Sequence, residues 1–125
     1  MKELNDEEIE KLFQLFLDRK IEEAKAWWLS RAESESIHNL GIKFEVVAMV
    51  WERGSQFPQG AVELYCLAGF CWELAWWLNE TPGVGTFRTA ACCYQKAGTI
   101  FNGLPDNAEF EGGPDVRRKL RNILS

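Results

Sequence analysis

This 125-residue chain has one histidine, two methionines and four prolines, and no apolar run long enough to cross a bilayer. Its longest apolar stretch, Leu64–Leu78, is broken by Glu73 and falls short of the roughly 18 residues that a spanning helix needs. The amino-terminal segment Met-Lys-Glu-Leu-Asn-Asp-Glu-Glu is acidic and has no apolar core, so a secretion signal is not expected. The chain is therefore expected in the cytoplasm, without a membrane partner and with its cysteines reduced. The lone His38 stands in polar surroundings beside a helix start, with no Ser, Cys or Asp at a fixed spacing. A surface histidine is the plainer account of it than a catalytic one.

Positive charge is also in deficit. Fourteen Lys and Arg against nineteen Asp and Glu give a net charge of −5, which argues against nucleic acid as a partner. Ten of the nineteen acids fall in the first 35 residues, while Arg117, Arg118, Lys119 and Arg121 cluster near the other end. That basic cluster is expected to complement the carboxyl end of a last helix.

The signatures of bound metal and of phosphate are missing. Cys66, Cys71, Cys92 and Cys93 fall on two adjacent helices, with Cys71 expected opposite Cys92 and Cys93. Their spacing is not that of a zinc motif, and sequence neighbours on a helix diverge by about 100°. Core packing is their expected role. Gly83-Val84-Gly85-Thr86 lacks the spacing and the lysine of a phosphate-binding loop, and reads as a turn with Thr86 as N-cap. Glu63 and Glu73 lie ten residues apart, and no Glu-x-x-His pair accompanies them. Neither an enzyme nor a cofactor is expected.

What the chain does have is apolar periodicity of helical pitch. Apolar residues make up 46% and charged residues 26%, with six tryptophans, enough for one well-stocked all-α domain over residues 1–125. Asn5 and Glu8 form a capping box ahead of Ile9, Leu12, Phe13, Phe16 and Leu17. Ile21, Ala24, Trp28 and Ala32 mark a second helix, which the stretch Glu33–Ser36 ends. Ile37, Leu40, Phe44, Val47 and Trp51 mark a third, stopped by Gly54 before Pro58. The fourth, from Pro58 to Leu78, is apolar on two stripes and is expected to be central. A fifth places Ala90, Ala91, Ala97 and Gly98 among Phe87, Tyr94 and Phe101, and a short sixth starts at Pro114. No segment sustains strand alternation. About six helices in antiparallel hairpins are expected.

The run Ile21-Glu22-Glu23-Ala24-Lys25-Ala26-Trp27-Trp28, then Ala90, Tyr94 and Ala97, and Tyr65-Cys66-Leu67-Ala68-Gly69-Phe70, carry a further signal. Together they resemble the small-residue and aromatic positions of tetratricopeptide repeats over about half the chain. The two Ala-to-aromatic motifs lie 66 residues apart, close to twice that family's period of roughly 34. The resemblance implies stacked antiparallel hairpins, in a right-handed array or a compact bundle. It also implies a module that binds another protein and carries no chemistry of its own.

One stripe of the fourth helix, Gln59, Glu63, Cys66, Phe70, Glu73, Trp77 and Glu80, mixes three glutamates with two large aromatics. Glu63, Phe70, Glu73, Trp77 and Glu80 are the candidate partner-binding residues, with Trp27 on the second helix, since Trp27 and Trp28 cannot both face one core. The competing reading is that the last helix covers this stripe, with its arginines on the glutamates. The expected function is a small cytoplasmic adaptor, chaperone or neutralising partner of another protein. The alternatives are a helical enzyme or small-ligand binder with a pocket of Tyr65, Trp72 and Tyr94, or a structural homo-oligomer.

Overall fold

The computed structural model describes residues 4–31, 36–54, 56–78 and 84–124. Among them are six α-helices and no strands: α1 (Asp6–Leu17), α2 (Ile21–Leu29), α3 (Ile37–Gly54), α4 (Pro58–Trp77), α5 (Val84–Asn102) and α6 (Pro114–Leu124). The fold is an all-α bundle. α3 and α5 flank α4 along its length, α1 and α2 lie against it from outside, and α6 packs on α5 and α1.

Local chemistry sets the helix ends. The side chain of Asn5 accepts from the Glu8 amide at 2.9 Å, and the Glu8 carboxylate accepts from the Asn5 amide at 3.1 Å, closing the capping box. α1 ends in a Schellman turn, with Lys20 N–H on the Leu15 carbonyl and Arg19 N–H on that of Phe16. The left-handed residue is Arg19, at φ 53°, where glycine would be less strained. Its side chain offsets that strain: the guanidinium meets Glu73 at 2.8 Å and lies 5.8 and 5.9 Å from the rings of Phe16 and Phe70.

α4 is the hub. Its buried residues include Ala61, Tyr65, Ala68, Phe70, Trp72, Leu74 and Ala75, which point all around the helix. Contacts along α3 and α4 run in opposite order, Trp51 on Gly60 at one end and Gly41 under Cys71 and Trp72 at the other, so the pair is antiparallel. Tyr94 on Gly69 and Phe87 on Trp76 give α5 the same sense. Two glycines make the approach possible. A Cβ on Gly69 would stand 2.6 Å from the Tyr94 ring, and one on Gly60 would stand 2.5 Å from Trp51.

The structure revises two boundaries. α2 closes at Leu29, where the Ser30 hydroxyl donates to the Trp27 carbonyl, and Ala32 lies outside the described residues. α5 begins at Val84, so Thr86 is buried in its first turn and is not the N-cap. The 103–113 connector is anchored to α5 and α6. Phe110 stacks on Phe101 at 5.8 Å, and Arg117 donates to the carbonyls of Ala108 and Pro105. Lys119 pairs with Asp18 at 2.7 Å, and that hydrogen bond holds the Asp18 carboxyl below its ordinary range.

Gly69→Ala should lower stability by about 1–2 kcal/mol, because the cost of displacing Tyr94 exceeds the gain in helix propensity. Gly85→Ala, where a Cβ meets nothing within 4 Å, should leave stability unchanged or raise it. Urea unfolding of the two variants beside the parent tests this, and equal behaviour would remove Gly69 from the account of α4 packing.

Candidate protein-binding surface

The stripe expected to face a partner is mostly closed. Phe70 is 0% exposed, a correction to its expected role as an exposed anchor. Phe16 of α1 covers it edge-on at 5.6 Å, and Arg19 lies over its ring. Glu73 accepts from Arg19 at 2.8 Å and from the Tyr94 hydroxyl at 2.7 Å, so it is a structural acceptor inside the α1–α4–α5 junction. Burial, then Glu73, pushes the Tyr94 hydroxyl well above its ordinary range and keeps it a donor. The cover comes from α1 and α5. Two arginines of α6 are engaged elsewhere: Arg117 on the connector and Arg118 on Asp115.

The remaining candidates are dispersed. Trp77 is 50% exposed at the far end of α4, beside Trp76 at 4.6 Å and under the Lys25 ammonium at 5.8 Å. Glu80 lies outside the described residues. Trp28 is buried and Trp27 half-buried, with the Arg31 guanidinium 5.4 Å from the Trp27 ring and its Nη2 2.6 Å from Glu8. Tyr65 and Trp72, named for a ligand pocket, are buried in the core, and the Tyr65 hydroxyl donates to Glu52 at 2.6 Å. His38 packs perpendicular to Trp72 at 4.6 Å rather than standing alone on the surface.

The cysteines do not converge. Cys66 and Cys71 are buried, Cys92 faces outward, and the Cys93 thiol turns to Glu45 of α3 at 3.4 Å. Burial, then Glu45, pushes the Cys93 thiol up to about 12. Among the described residues no three His, Cys, Asp or Glu side chains gather closely enough to hold a metal ion, and no helix is long and apolar enough to cross a membrane.

Sequence reasoning passed over the outer face of α3. The buried line of this helix is Ile37, Leu40, Gly41, Phe44 and Ala48. Ile42, Val46 and Val50 recur at i, i+4 and i+8 on the opposite side, with Val46 and Val50 54% and 64% exposed. Val47 and Trp51, expected to face inward, are also exposed, and Phe57 beyond the helix is 66% exposed. Trp51 covers Gly60 of α4 from the last turn of α3. The signal was in the sequence: an inward stripe on α3 leaves three β-branched residues over.

Beside Trp51 and Phe57 the surface sinks into grooves between α1, the first half of α4 and the connector. One, of about 400 Å3, has Ile9, Phe13, Leu64 and Leu67 beneath Asp6, Glu10, Glu63 and Glu111. It shares Glu63 and Glu111 with a second, of about 550 Å3, which Trp51, Phe57, Gln59 and Glu109 complete. Glu63 pairs with no cation among the described residues. Burial first, then repulsion from Glu111 and Glu10, pushes its carboxyl up to about 7.

Comparison with models of known families, with curated proteins and with solved structures finds no match for this chain. What the geometry defines is an all-α bundle with an exposed apolar helix face and a neighbouring acidic groove.

The raised Glu63 carboxyl makes stability depend on pH. The folded chain holds this proton more tightly than the unfolded one, so the linked stability is complete below about pH 4.5 and is lost as pH rises through about 7. Glu63→Gln should therefore be more stable than the parent above neutrality, by about 1 kcal/mol after screening at the groove rim. The two should unfold alike in acid. Thermal unfolding across that range checks it, and parallel curves would refute it.

Proposed function

We propose that this chain is a protein-binding helical module of tetratricopeptide-like hairpins, acting in the cytoplasm through the outer face of α3. The observation that carries the reading is the unpartnered stripe Ile42, Val46 and Val50, widened by Val47, Trp51 and Phe57. Five large apolar side chains exposed on one helix create a surface whose burial is favourable, at about 25 cal/mol per Å2 removed from water. Trp51 adds an aromatic of the kind that anchors interfaces. The repeat-like reading is supported by Ala24, Trp28, Ala90 and Ala97, which all sit in the core, and by the antiparallel order of α3, α4 and α5. The reading places the function on α3, away from the stripe of α4 that the sequence favoured.

The same stripe also suits a second copy of the chain, since an exposed apolar helix can pair with itself. A photo-crosslinking residue at position 46, with one at exposed Glu22 as control, separates the two in cells that make the protein. Adducts of one other protein from position 46 alone, lost on Val50→Glu, are the expected result. Val50→Glu should leave thermal stability within about 0.5 kcal/mol of the parent, because the side chain is exposed. Adducts of the chain with itself alone would favour the homo-oligomer, and equal labelling from both positions would sink the α3 surface.

A further inference from the structure

We propose that the groove between α1, the first half of α4 and the 107–112 connector seats a lysine- or arginine-bearing segment of a protein partner. The proposal deepens the reading of the chain as a protein-binding module. It does so on a surface that the α3 stripe does not supply.

The groove has the two-part chemistry of a long basic side chain. Its floor is apolar, made by Ile9, Phe13, Leu64 and Leu67. Its walls carry Asp6, Glu10, Glu63 and Glu111, and Glu109 continues them towards Trp51 and Phe57. Among the described residues no Lys, Arg or His lines either part. Lysine and arginine lay three or four methylenes on apolar surface while the charged head reaches polar groups beyond, and these walls stand where that head would arrive.

Two observations select a basic segment over a small ion. The carboxylates are spread along the groove and no three converge on one point, so a single divalent cation finds no shell among the described residues. Several cationic heads, spaced along an extended chain, meet them one at a time. Glu63 also stands part-buried with no cation among the described residues, while Glu73 on the same helix has Arg19. Folding supplied one glutamate with its counter-charge and left the other for a partner to supply. The connector holds its share of the wall firmly, because Phe110 is stacked on Phe101 between Glu109 and Glu111. A pre-formed, unpaired acidic wall favours basic partners in both encounter and register.

The test is selection of random dodecapeptides displayed on phage against the immobilised chain, followed by fluorescence anisotropy on the recovered peptides. Expected are peptides rich in Lys and Arg whose binding weakens with salt. Replacing their lysines by norleucine, which keeps the stem and removes the charge, should abolish binding. Glu63→Gln/Glu111→Gln should loosen the complex about tenfold or more. That variant relieves repulsion and should fold at least as well as the parent, so loss of binding cannot be assigned to unfolding. Val46→Glu/Val50→Glu should leave these peptides bound, and this holds whether or not the α3 reading survives its own test. Recovery of no peptide, of peptides without basic residues, or of basic peptides indifferent to Glu63→Gln/Glu111→Gln would overturn the groove proposal. Peptides lost only on Val46→Glu/Val50→Glu would overturn it while leaving the α3 surface standing.

Discussion

The ring of Tyr94 lies against Gly69, and much of the remaining architecture follows from that contact. Because α4 has no side chain at position 69, α5 can approach it closely enough for the Tyr94 hydroxyl to reach Glu73 one turn further on. Glu73 is then inside the bundle and needs a counter-charge, which Arg19 brings from the end of α1. Arg19 does so from a left-handed backbone position that is unfavourable for any side chain with a Cβ. A close packing contact between two helices thus fixes where a third must end. The chain tolerates local strain there because a buried carboxylate left without a partner costs more.

Where α4 is buried all around, through its middle turns, it cannot also present a partner face. Once α1 covers Phe70 and α5 covers Glu73, the remaining large apolar area moves outward to the flanking helices. α3 packs its Ile37–Phe44–Ala48 line on α4 and has no helix on its other side among the described residues, so Ile42, Val46 and Val50 stay in water. Polar residues there would serve folding as well or better. Three β-branched apolar residues cost helix propensity and solubility, a cost that burial against another surface would recover.

Much of the fold was legible because its determinants are local. The Asn5 and Glu8 box, the glycine and proline between α3 and α4, and the two-sided apolar pattern of α4 all act within a few residues, and each is found where the pattern put it. The candidate surface was less legible because exposure depends on which element arrives to cover a stripe. A stripe with three glutamates reads as solvated, yet one arginine and one tyrosine from helices distant in sequence are enough to draw Glu73 inside. Phe70 gave no local sign that Phe16 would sit on it. For α3 the sequence showed surplus apolar residues, but helical periodicity alone does not say which of two apolar faces finds the core.

Glu63 and Glu73 make the distinction sharpest, since they share one helix and one stripe and differ only in their surroundings. Glu73 has a guanidinium and a hydroxyl within 2.8 Å, a set of charge-assisted bonds that offsets its desolvation. Glu63 is also largely withdrawn from water but faces Glu10 and Glu111, so its surroundings favour the protonated form near neutrality. Repulsion among unpaired carboxylates lowers the stability of the chain on its own, and any of them could be replaced by an amide without disturbing the hairpin beneath. A cation brought to the groove reverses the sign of that term, turning a cost of folding into a gain on association. The same physics that makes Glu73 a joint of the fold therefore makes Glu63 a poor structural residue, and it is what the groove proposal draws on. What separates them is only whether the chain itself brings the positive charge.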